Sequence, residues 1–240
     1  DHEDEIIGTK EKTDEYAYQW ATVQLVGNAV SIVLDTRPVR KGESRKEIVE
    51  DLLDSAEEMV HVDNVLMDRE FDSQHVLEML SERGLSYVVP KRMQTSEKAQ
   101  AKRLLQHDQD RYETDRKLHL GNNEWHETTL IYRWKENSEH DDHRQCSVFM
   151  TNRGSGHLTE YRYRWEIESG YKSIKRFMAA TTSKDFGLRF FYFAFACLLY
   201  SIWRAVDLLV QVELTGEYEH SPIVTADNTL TLLKKETGIG

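Results

Sequence analysis

The sequence predicts an α/β fold, because segments with the period of β-strands alternate along the chain with segments that have the period of amphipathic helices. Two β-rich runs separated at Gly27 predict a hairpin, and residues 44–60 then place apolar side chains at helical spacing. A short strand reaching Asp68, a helix ending at Gly84 and a strand over 86–90 complete the order strand, strand, helix, strand, helix, strand.

The first helix carries its own start signal. Ser44 stands where an N-cap is expected, and Glu47 three residues later completes a capping box. The helical spacing predicts the buried face, which consists of Ile48, Val49, Leu52, Leu53, Ala56 and either Met59 or Val60.

The second half of the chain is first β-rich and then helical. Within 94–152 we expect a short helical piece, a β-hairpin around Gly121 and one further strand. Helices are expected over 158–178 and 184–213, with a weak helix at TLTLLKK. The acidic stretch ENSEHDDH contains groups that can ligate a metal, but without further ligands at metal-site spacing we interpret it as a solvated loop.

Composition and charge restrict the possible partners. The chain has 240 residues, of which 30 % are charged, with a net charge of −11 and two cysteines. The negative charge argues against a partner held by bulk electrostatics, such as nucleic acid, and two cysteines fit a reducing, intracellular setting. The most apolar run, residues 190–203, has 14 residues. Because a membrane span needs about 20, we expect a buried core helix and no membrane.

The predicted helix over 160–178 has two narrow stripes on a wheel of roughly 100° per residue. The apolar stripe contains Tyr163, Ile167, Tyr171, Ile174 and Met178. The polar stripe beside it contains Tyr161, Arg164, Glu168 and Lys175. Two interpretations stay open: a boundary row of ion pairs such as Arg164 with Glu168, or a carboxylate between cations that binds a divalent metal and steadies phosphate oxygens.

A second carboxylate stands at a strand end. Asp68 follows the short strand in VDNVLMDREFDS, and ligands bind at the carboxyl ends of strands in open α/β sheets. An aspartate there also serves as a helix N-cap or turn former. Asp72 or Ser73 is better placed to cap the next helix, so we expect Asp68 to have no capping role.

These two segments resemble the hallmark motifs of the IS4-type transposases, a branch of the DDE transposases with an RNase H-like catalytic fold. YRYRWEIESGYKSIK matches Y-x2-R-x3-E-x6-K at Tyr161, Arg164, Glu168 and Lys175, and LMDREFDS resembles the strand end that carries the second catalytic aspartate. The resemblance implies an RNase H-like mixed sheet flanked by helices in a single domain over 1–240. The segment 94–152 would be a β-rich insertion between the second and third catalytic carboxylates.

The resemblance also implies an activity: metal-dependent endonuclease cleavage of DNA and strand transfer, the reactions of DNA transposition and recombination of an insertion sequence. Asp68 and Glu168 would ligate Mg²⁺, with Mn²⁺ as an alternative, in a site of two ions about 3.5–4 Å apart. Arg164, Lys172 and Lys175 would contact DNA phosphates, and Tyr161 would hydrogen-bond a phosphate or stack on a displaced base. The partners would be double-stranded DNA, from transposon ends and target, and a second copy in a homodimer. The setting would be the cytoplasm, at the nucleoid when bound to DNA.

The family pattern requires a first aspartate. Asp35 ends an apolar run, but only a helix separates it from Asp68, whereas two strands and a helix separate the first two aspartates in an RNase H-like fold. The hairpin before Asp35 fits the second and third strands, so we expect the first aspartate to precede residue 1 in an N-terminally truncated, catalytically crippled chain. Asp1 and Asp4 are the remaining candidates.

The acidic balance is unusual for a DNA enzyme, and a salt-loving source would explain it. At molar salt the Debye length falls to about 3 Å, and counterion release no longer drives DNA binding strongly. The sequence is compatible with haloarchaeal insertion-sequence transposases in which the basic clusters RPVRKGESRK, PKRM and IKRF contact DNA. Two other functions stay open: an inactive transposase remnant that at most binds DNA or another subunit, and an RNase H-like nuclease or resolvase.

Overall fold

The computed structural model describes residues 7–8, 16–27, 30–107, 111–121, 123–135, 138–219 and 221–238. The strands in these ranges are β1 (Ile7–Gly8), β2 (Tyr16–Ala17), β3 (Gln19–Leu25), β4 (Ile32–Val39), β5 (Asn64–Leu66), β6 (Ser86–Pro90), β7 (Arg111–Gly121), β8 (Glu124–Trp134) and β9 (Cys146–Thr151). The α-helices are α1 (Arg45–Glu57), α2 (Gln74–Glu82), α3 (Thr95–Gln106), α4 (Arg164–Phe177), α5 (Phe186–Thr215) and α6 (Ala226–Thr237).

The chain forms two compact units. Unit 1 combines residues 1–60 with 163–240, and unit 2 consists of residues 61–162. The single domain over 1–240 and the insertion over 94–152 stay predictions.

Unit 1 is built on the predicted hairpin. Strands β3 and β4 pair antiparallel, with a register shift between Val23 and Gln24, and helices α1 and α5 pack on them. The core joins the hairpin to the three C-terminal helices, and its buried members are Ile174, Phe177, Phe193, Ala196, Cys197, Tyr200, Trp203 and Ala226. Trp20 of β3 packs against this cluster. The expected burial of the run 190–203 is confirmed for its inner face and is wrong for its outer face, where large side chains such as Phe191 and Leu198 are exposed.

Helix α1 begins as its sequence predicts. The Ser44 side chain accepts a hydrogen bond from the Glu47 backbone N–H, and the Glu47 carboxylate accepts one from the Ser44 N–H. These reciprocal bonds satisfy two of the donors that every helix N-terminus leaves open. The predicted apolar face is buried from Ile48 to Ala56, while Met59 lies beyond the helix and is exposed.

Unit 2 contains a five-stranded mixed sheet in the order β5-β6-β9-β8-β7. Strands β5 and β6 are parallel, and every other neighbouring pair is antiparallel. Helix α2 packs on β6, β7 and β8. The long hairpin β7–β8 turns at the predicted Gly121, which adopts φ 111°, and at Asn123, which adopts φ 64°, two residue types that tolerate positive φ.

The predicted fold class is therefore confirmed: the chain is a mixed α/β protein with a five-stranded mixed sheet flanked by helices, consistent with an RNase H-like fold. Within the described ranges, α5 alone is long and apolar enough by length and composition to cross a membrane, a test that core helices also pass. Cys146 and Cys197 are free and buried, and burial raises the pKa of each thiol to about 12.

The prediction of one helix over 158–178 is wrong at its N-terminal end. Ser155–Tyr163 forms a 3₁₀ helix, and α4 begins only at Arg164. Glu160 contacts Asn64 of β5 and Tyr161 contacts Met67 just after that strand, and these contacts accompany the tighter winding, which is common at the start of α-helices. A wheel of 100° per residue does not apply to Tyr161, so Tyr161 does not belong to the stripe on α4.

Candidate active site

Asp68 lies where the sequence predicts, just beyond the carboxyl end of β5. The strand is anchored there by a backbone hydrogen bond of 3.2 Å from the Met67 N–H to the Val88 carbonyl of β6. Asp68 is exposed and its backbone is extended, with φ −79° and ψ 164°. The side chain therefore stands at an open sheet end, where carboxylate oxygens can meet a ligand.

The expectation that Asp68 has no capping role is wrong. Its carboxylate accepts a hydrogen bond from the Arg69 N–H and caps a short 3₁₀ helix, Arg69–Phe71. Ser73 occupies the N-cap position of α2 but makes no side-chain capping bond. The short 3₁₀ helix, which residue spacing does not reveal, gives Asp68 a local structural task.

Asp72 ties the loop after Asp68 to the end of β6. Its carboxylate accepts a hydrogen bond of 2.9 Å from the Arg92 N–H and lies 3.4 Å from Lys91 Nζ. Glu70 pairs with the Arg92 guanidinium at 3.3 Å. Lys91 and Arg92 form the predicted DNA-contact cluster PKRM, and both are engaged in holding this loop.

Tyr161 also supports this strand end. Its hydroxyl donates to the Met67 carbonyl, next to Asp68, over 3.4 Å. The ring packs edge-on against Phe149, with centroids 4.9 Å apart. The neighbouring Glu160 accepts a 2.5 Å hydrogen bond from Asn64 at the start of β5. The 3₁₀ segment thus braces the short strand at both ends.

Helix α4 presents Arg164, Glu168, Lys172 and Lys175 in unit 1. Arg164 and Glu168 form an ion pair of 2.6 Å, and their side chains are 15 % and 43 % exposed. The boundary ion pair is therefore present, but the carboxylate is not enclosed by it. Lys172 and Lys175 are exposed, whereas Arg176 of the cluster IKRF pairs with Asp227 at 3.4 Å.

Helix α4 is fixed against the β3–β4 hairpin by contacts that sequence reasoning missed. Glu166 accepts a 3.2 Å hydrogen bond from the Gly27 N–H, and the Tyr171 hydroxyl lies 2.7 Å from the Thr22 hydroxyl. At Gly170, a Cβ would stand 3.1 Å from the Tyr200 hydroxyl. Burial raises the pKa of Tyr171, so its hydroxyl stays protonated and available as a donor. The signal in the sequence was Gly170, a glycine inside a helix.

The remaining candidates fall elsewhere. Asp35 lies within β4, and its carboxylate accepts a 2.7 Å hydrogen bond from the Thr36 N–H. Asp1 and Asp4 lie outside the described residues. In the cluster RPVRKGESRK, Arg37 pairs with Glu43 at 2.5 Å and with Asp51.

The acidic loop after β8 behaves as a structural turn. Asp142 pairs with Arg144 at 2.9 Å, and hydrogen bonds from Arg144 lower the pKa of Asp142 to about 2. The described residues contain no group of three or more His, Cys, Asp or Glu side chains arranged to hold a metal. A solvated loop therefore stays a simpler interpretation of this stretch than a metal site.

Asp68 and Glu168 fit a hard divalent cation by the chemistry of their donors. Each carboxylate has two oxygens with about four acceptor sites, and the bonds with Arg69 and Arg164 use one oxygen of each. Mg²⁺ usually keeps several waters and binds through one or two carboxylates. The two residues belong to different units, so the expectation that they meet stays a prediction.

A family model described as Transposase DDE domain matches residues 18–202. This chain belongs to the Transposase DDE domain family. The matched range includes every predicted site residue: Asp68, Tyr161, Arg164, Glu168, Lys172 and Lys175.

Among solved structures, this DDE transposase domain is similar to a piggyBac transposase in a synaptic complex with hairpin DNA. The TM-score is 0.57 at 10 % sequence identity, over 96 % of this chain and 48 % of that chain. The domain thus spans about half the length of that transposase and shares its fold. No curated protein matches the chain.

Proposed function

We propose that this chain is the catalytic domain of an IS4-type DNA transposase that cleaves DNA strands and transfers them during transposition of an insertion sequence. The observation that carries the proposal is the family match, which runs through both candidate carboxylates and the Arg164–Lys175 motif on α4. The fold shared with a transposase in a DNA complex supports it. The domain would comprise residues 1–240, with 94–152 as a β-rich insertion.

Asp68 and Glu168 would hold the catalytic metal, Mg²⁺ or Mn²⁺. When bound, the ions supply activation of a water or 3′-hydroxyl and stabilisation of the leaving oxygen at phosphorus. Asp68 would offer its exposed carboxylate from a strand end braced by Tyr161 and Asp72. Glu168 would offer the oxygens of a 43 % exposed carboxylate that is oriented by its ion pair with Arg164.

Arg164, Lys172 and Lys175 would bind the phosphates of double-stranded DNA. The two lysines are exposed on α4, and a lysine ammonium binds phosphate as a mobile point charge. Arg164 would act through Glu168 first, because its guanidinium is engaged with that carboxylate at 2.6 Å. Tyr161 would act as a support of the Asp68 strand end and not as a DNA contact.

The test is nicking of supercoiled plasmid DNA by the purified chain with Mn²⁺ or Mg²⁺. The variants are Asp68→Asn and Glu168→Gln, and the matched control is Glu124→Gln, an exposed acid at the tip of the β7–β8 hairpin. We expect the wild type and the control to nick slowly, as a crippled catalytic domain would, and both site variants to lose at least a further 100-fold in rate, as expected for groups that stabilise charge in the transition state. Nicking that survives in both site variants would contradict the assignment of these carboxylates.

The alternative is an inactive remnant. It is favoured because, among the described residues of unit 1, we identify no candidate for the first catalytic aspartate except Asp35. It predicts a wild type that retards DNA in gels but nicks it with neither metal. A salt series in the same assay tests the proposed haloarchaeal source, and we further propose a cytoplasmic, nucleoid-associated setting. For a net charge of −11, we expect nicking or DNA binding to persist at molar KCl, where simple counterion-driven binding would be lost.

A further inference from the structure

Helix α5 has two apolar faces, and only one of them has a partner in the described structure. Its buried face contributes Phe193, Ala196, Cys197, Tyr200 and Trp203 to the core of unit 1. On the other side, large apolar side chains are between 37 % and 68 % exposed. Seven of these exposed side chains and the half-buried Ala205 form a row that we call the α5 seam: Leu188, Phe191, Phe195, Leu198, Ile202, Ala205, Leu209 and Val212.

The α5 seam has the spacing of a coiled coil. Successive members are three and four residues apart without interruption along the helix. This 3.5-residue period keeps a stripe facing one partner helix, whereas the face of an ordinary core helix is broader and follows a period of 3.6. The spacing therefore favours another long helix, packed alongside α5, as the partner of this face.

The exposed area is sufficient for a stable interface. Together with Val206 at its edge, the seam exposes the equivalent of about four whole apolar residues, on the order of 700 Å² if each offers roughly 150–250 Å². The largest apolar patch on a typical monomer is about 300–600 Å². A standard interface buries about 800 Å² per partner, so one α5 seam covered by an identical seam reaches this size.

We infer that the α5 seam is the interface between two copies of this chain, with the two helices antiparallel about a twofold axis near residue 200. In that arrangement Leu188 faces the partner's Val212 and Phe191 faces the partner's Leu209. Phe195 faces the partner's Ala205, so a large side chain lies opposite the smallest one of the seam. Parallel pairing would stack phenylalanines on phenylalanines and alanine on alanine, crowding one layer and emptying another.

Two further features fit a self-complementary seam. Residues 190–203 contain no charged side chain, so two identical copies bring no like charges together at the centre. A membrane is a poor match for α5, because its opposite face includes Arg204 and Asp207, which are buried within unit 1. The interface is independent of the catalytic chemistry proposed above.

Sedimentation of the full chain at micromolar concentrations tests the interface. We expect the wild type to sediment at twice the chain mass and the double variant Leu198→Lys, Ile202→Lys to sediment as a monomer with unchanged circular dichroism. The matched control is Leu214→Lys, which changes an equally apolar and 68 % exposed residue of the same helix outside the seam. It should remain a dimer.

Cysteine cross-linking tests the direction without depending on a destabilised variant. A mixture of Leu198→Cys and Ile202→Cys proteins should form a disulfide between the two chains, because these positions face each other in the antiparallel layer. The native thiols are buried with pKa values raised to about 12 and do not compete. Efficient self-linking of each variant alone would overturn the antiparallel register. The dimer interface would be contradicted if the wild type sediments as a monomer. It would also be contradicted if the monomer binds vesicles of phosphatidylcholine and phosphatidylglycerol.

Discussion

Two aspartates, Asp68 in unit 2 and Asp207 in unit 1, show how differently the same side chain is used. Asp207 is 0 % exposed, and its Oδ1 accepts a 2.8 Å hydrogen bond from the Val224 N–H. Its Oδ2 accepts from Gln211 Nε2 at 2.9 Å and from Arg204 at 3.4 Å. Asp68 is exposed, and its carboxylate accepts the neighbouring Arg69 N–H.

The difference separates a structural carboxylate from one that is available to a ligand. Both oxygens of Asp207 are committed, and any cation would have to displace buried partners. The partners of Asp207 fasten the segment after α5 back onto that helix, and Arg204 also donates to the Tyr218 hydroxyl. The Asp68 carboxylate caps a short 3₁₀ helix, which is a local role, so metal binding would disturb little of the fold.

The largest effect that this comparison predicts is on stability at Asp207. Asp207→Ala should lower the free energy of unfolding by about 3–5 kcal/mol, because it leaves the buried Arg204 charge without its carboxylate. Asp68→Ala should cost only about 0.5–2 kcal/mol, the usual loss for a capping side chain. Urea denaturation of both variants measures the difference.

Asp207→Asn is the control for this pair. It keeps the shape and the acceptor for the Val224 N–H but removes the charge. The free energy of unfolding that it loses should therefore lie between the losses for Asp68→Ala and Asp207→Ala. Equal destabilisation by Asp68→Ala and Asp207→Ala would contradict the distinction between the two carboxylates.

Asp68 was predictable from the sequence and the role of Asp207 was not, for a physical reason. A strand end is a local feature, set by the apolar run before Asp68, and the capping box of Ser44 and Glu47 is equally local. The burial of Asp207 depends on the chain returning through Val224, seventeen positions later. The spacing of apolar residues does not reveal such a long-range contact, and in the sequence Asp207 stands only as a polar residue at the end of an apolar run.

Tyr161 shows the same limit inside the recognised motif. Its spacing from Arg164 and Glu168 suggested one stripe on one helix. Contacts with Met67 and Phe149, both distant in sequence, instead hold it in a 3₁₀ segment within unit 2. The spacing pattern grouped these residues into one motif, while tertiary contacts decided which of them share a helix face.

An intermediate effect is expected at the support of Asp68. Tyr161→Phe removes the hydroxyl that bonds the Met67 carbonyl but keeps the ring on Phe149. It should lower the free energy of unfolding by about 0.5–1.5 kcal/mol, the net value of one hydrogen bond. DNA affinity in gel retardation should not change, whereas Mn²⁺-dependent nicking should fall several-fold because Asp68 is held less firmly. A loss of DNA affinity with unchanged stability would instead assign the hydroxyl to a phosphate contact.

The smallest effect concerns the second candidate carboxylate. A double-mutant cycle with Arg164→Ala and Glu168→Ala, measured by urea denaturation, should give a coupling of about 0.3–0.5 kcal/mol. This is typical of a partly exposed i,i+4 pair, which solvent screens. The exposed pair of Arg176 and Asp227 is the control, with coupling near zero. If Glu168 is a metal ligand, saturating Mn²⁺ should weaken the coupling with Arg164, because the carboxylate is then shared, and should leave the control pair unchanged. A coupling that Mn²⁺ does not alter would place Glu168 with Asp207, among the carboxylates that serve the fold.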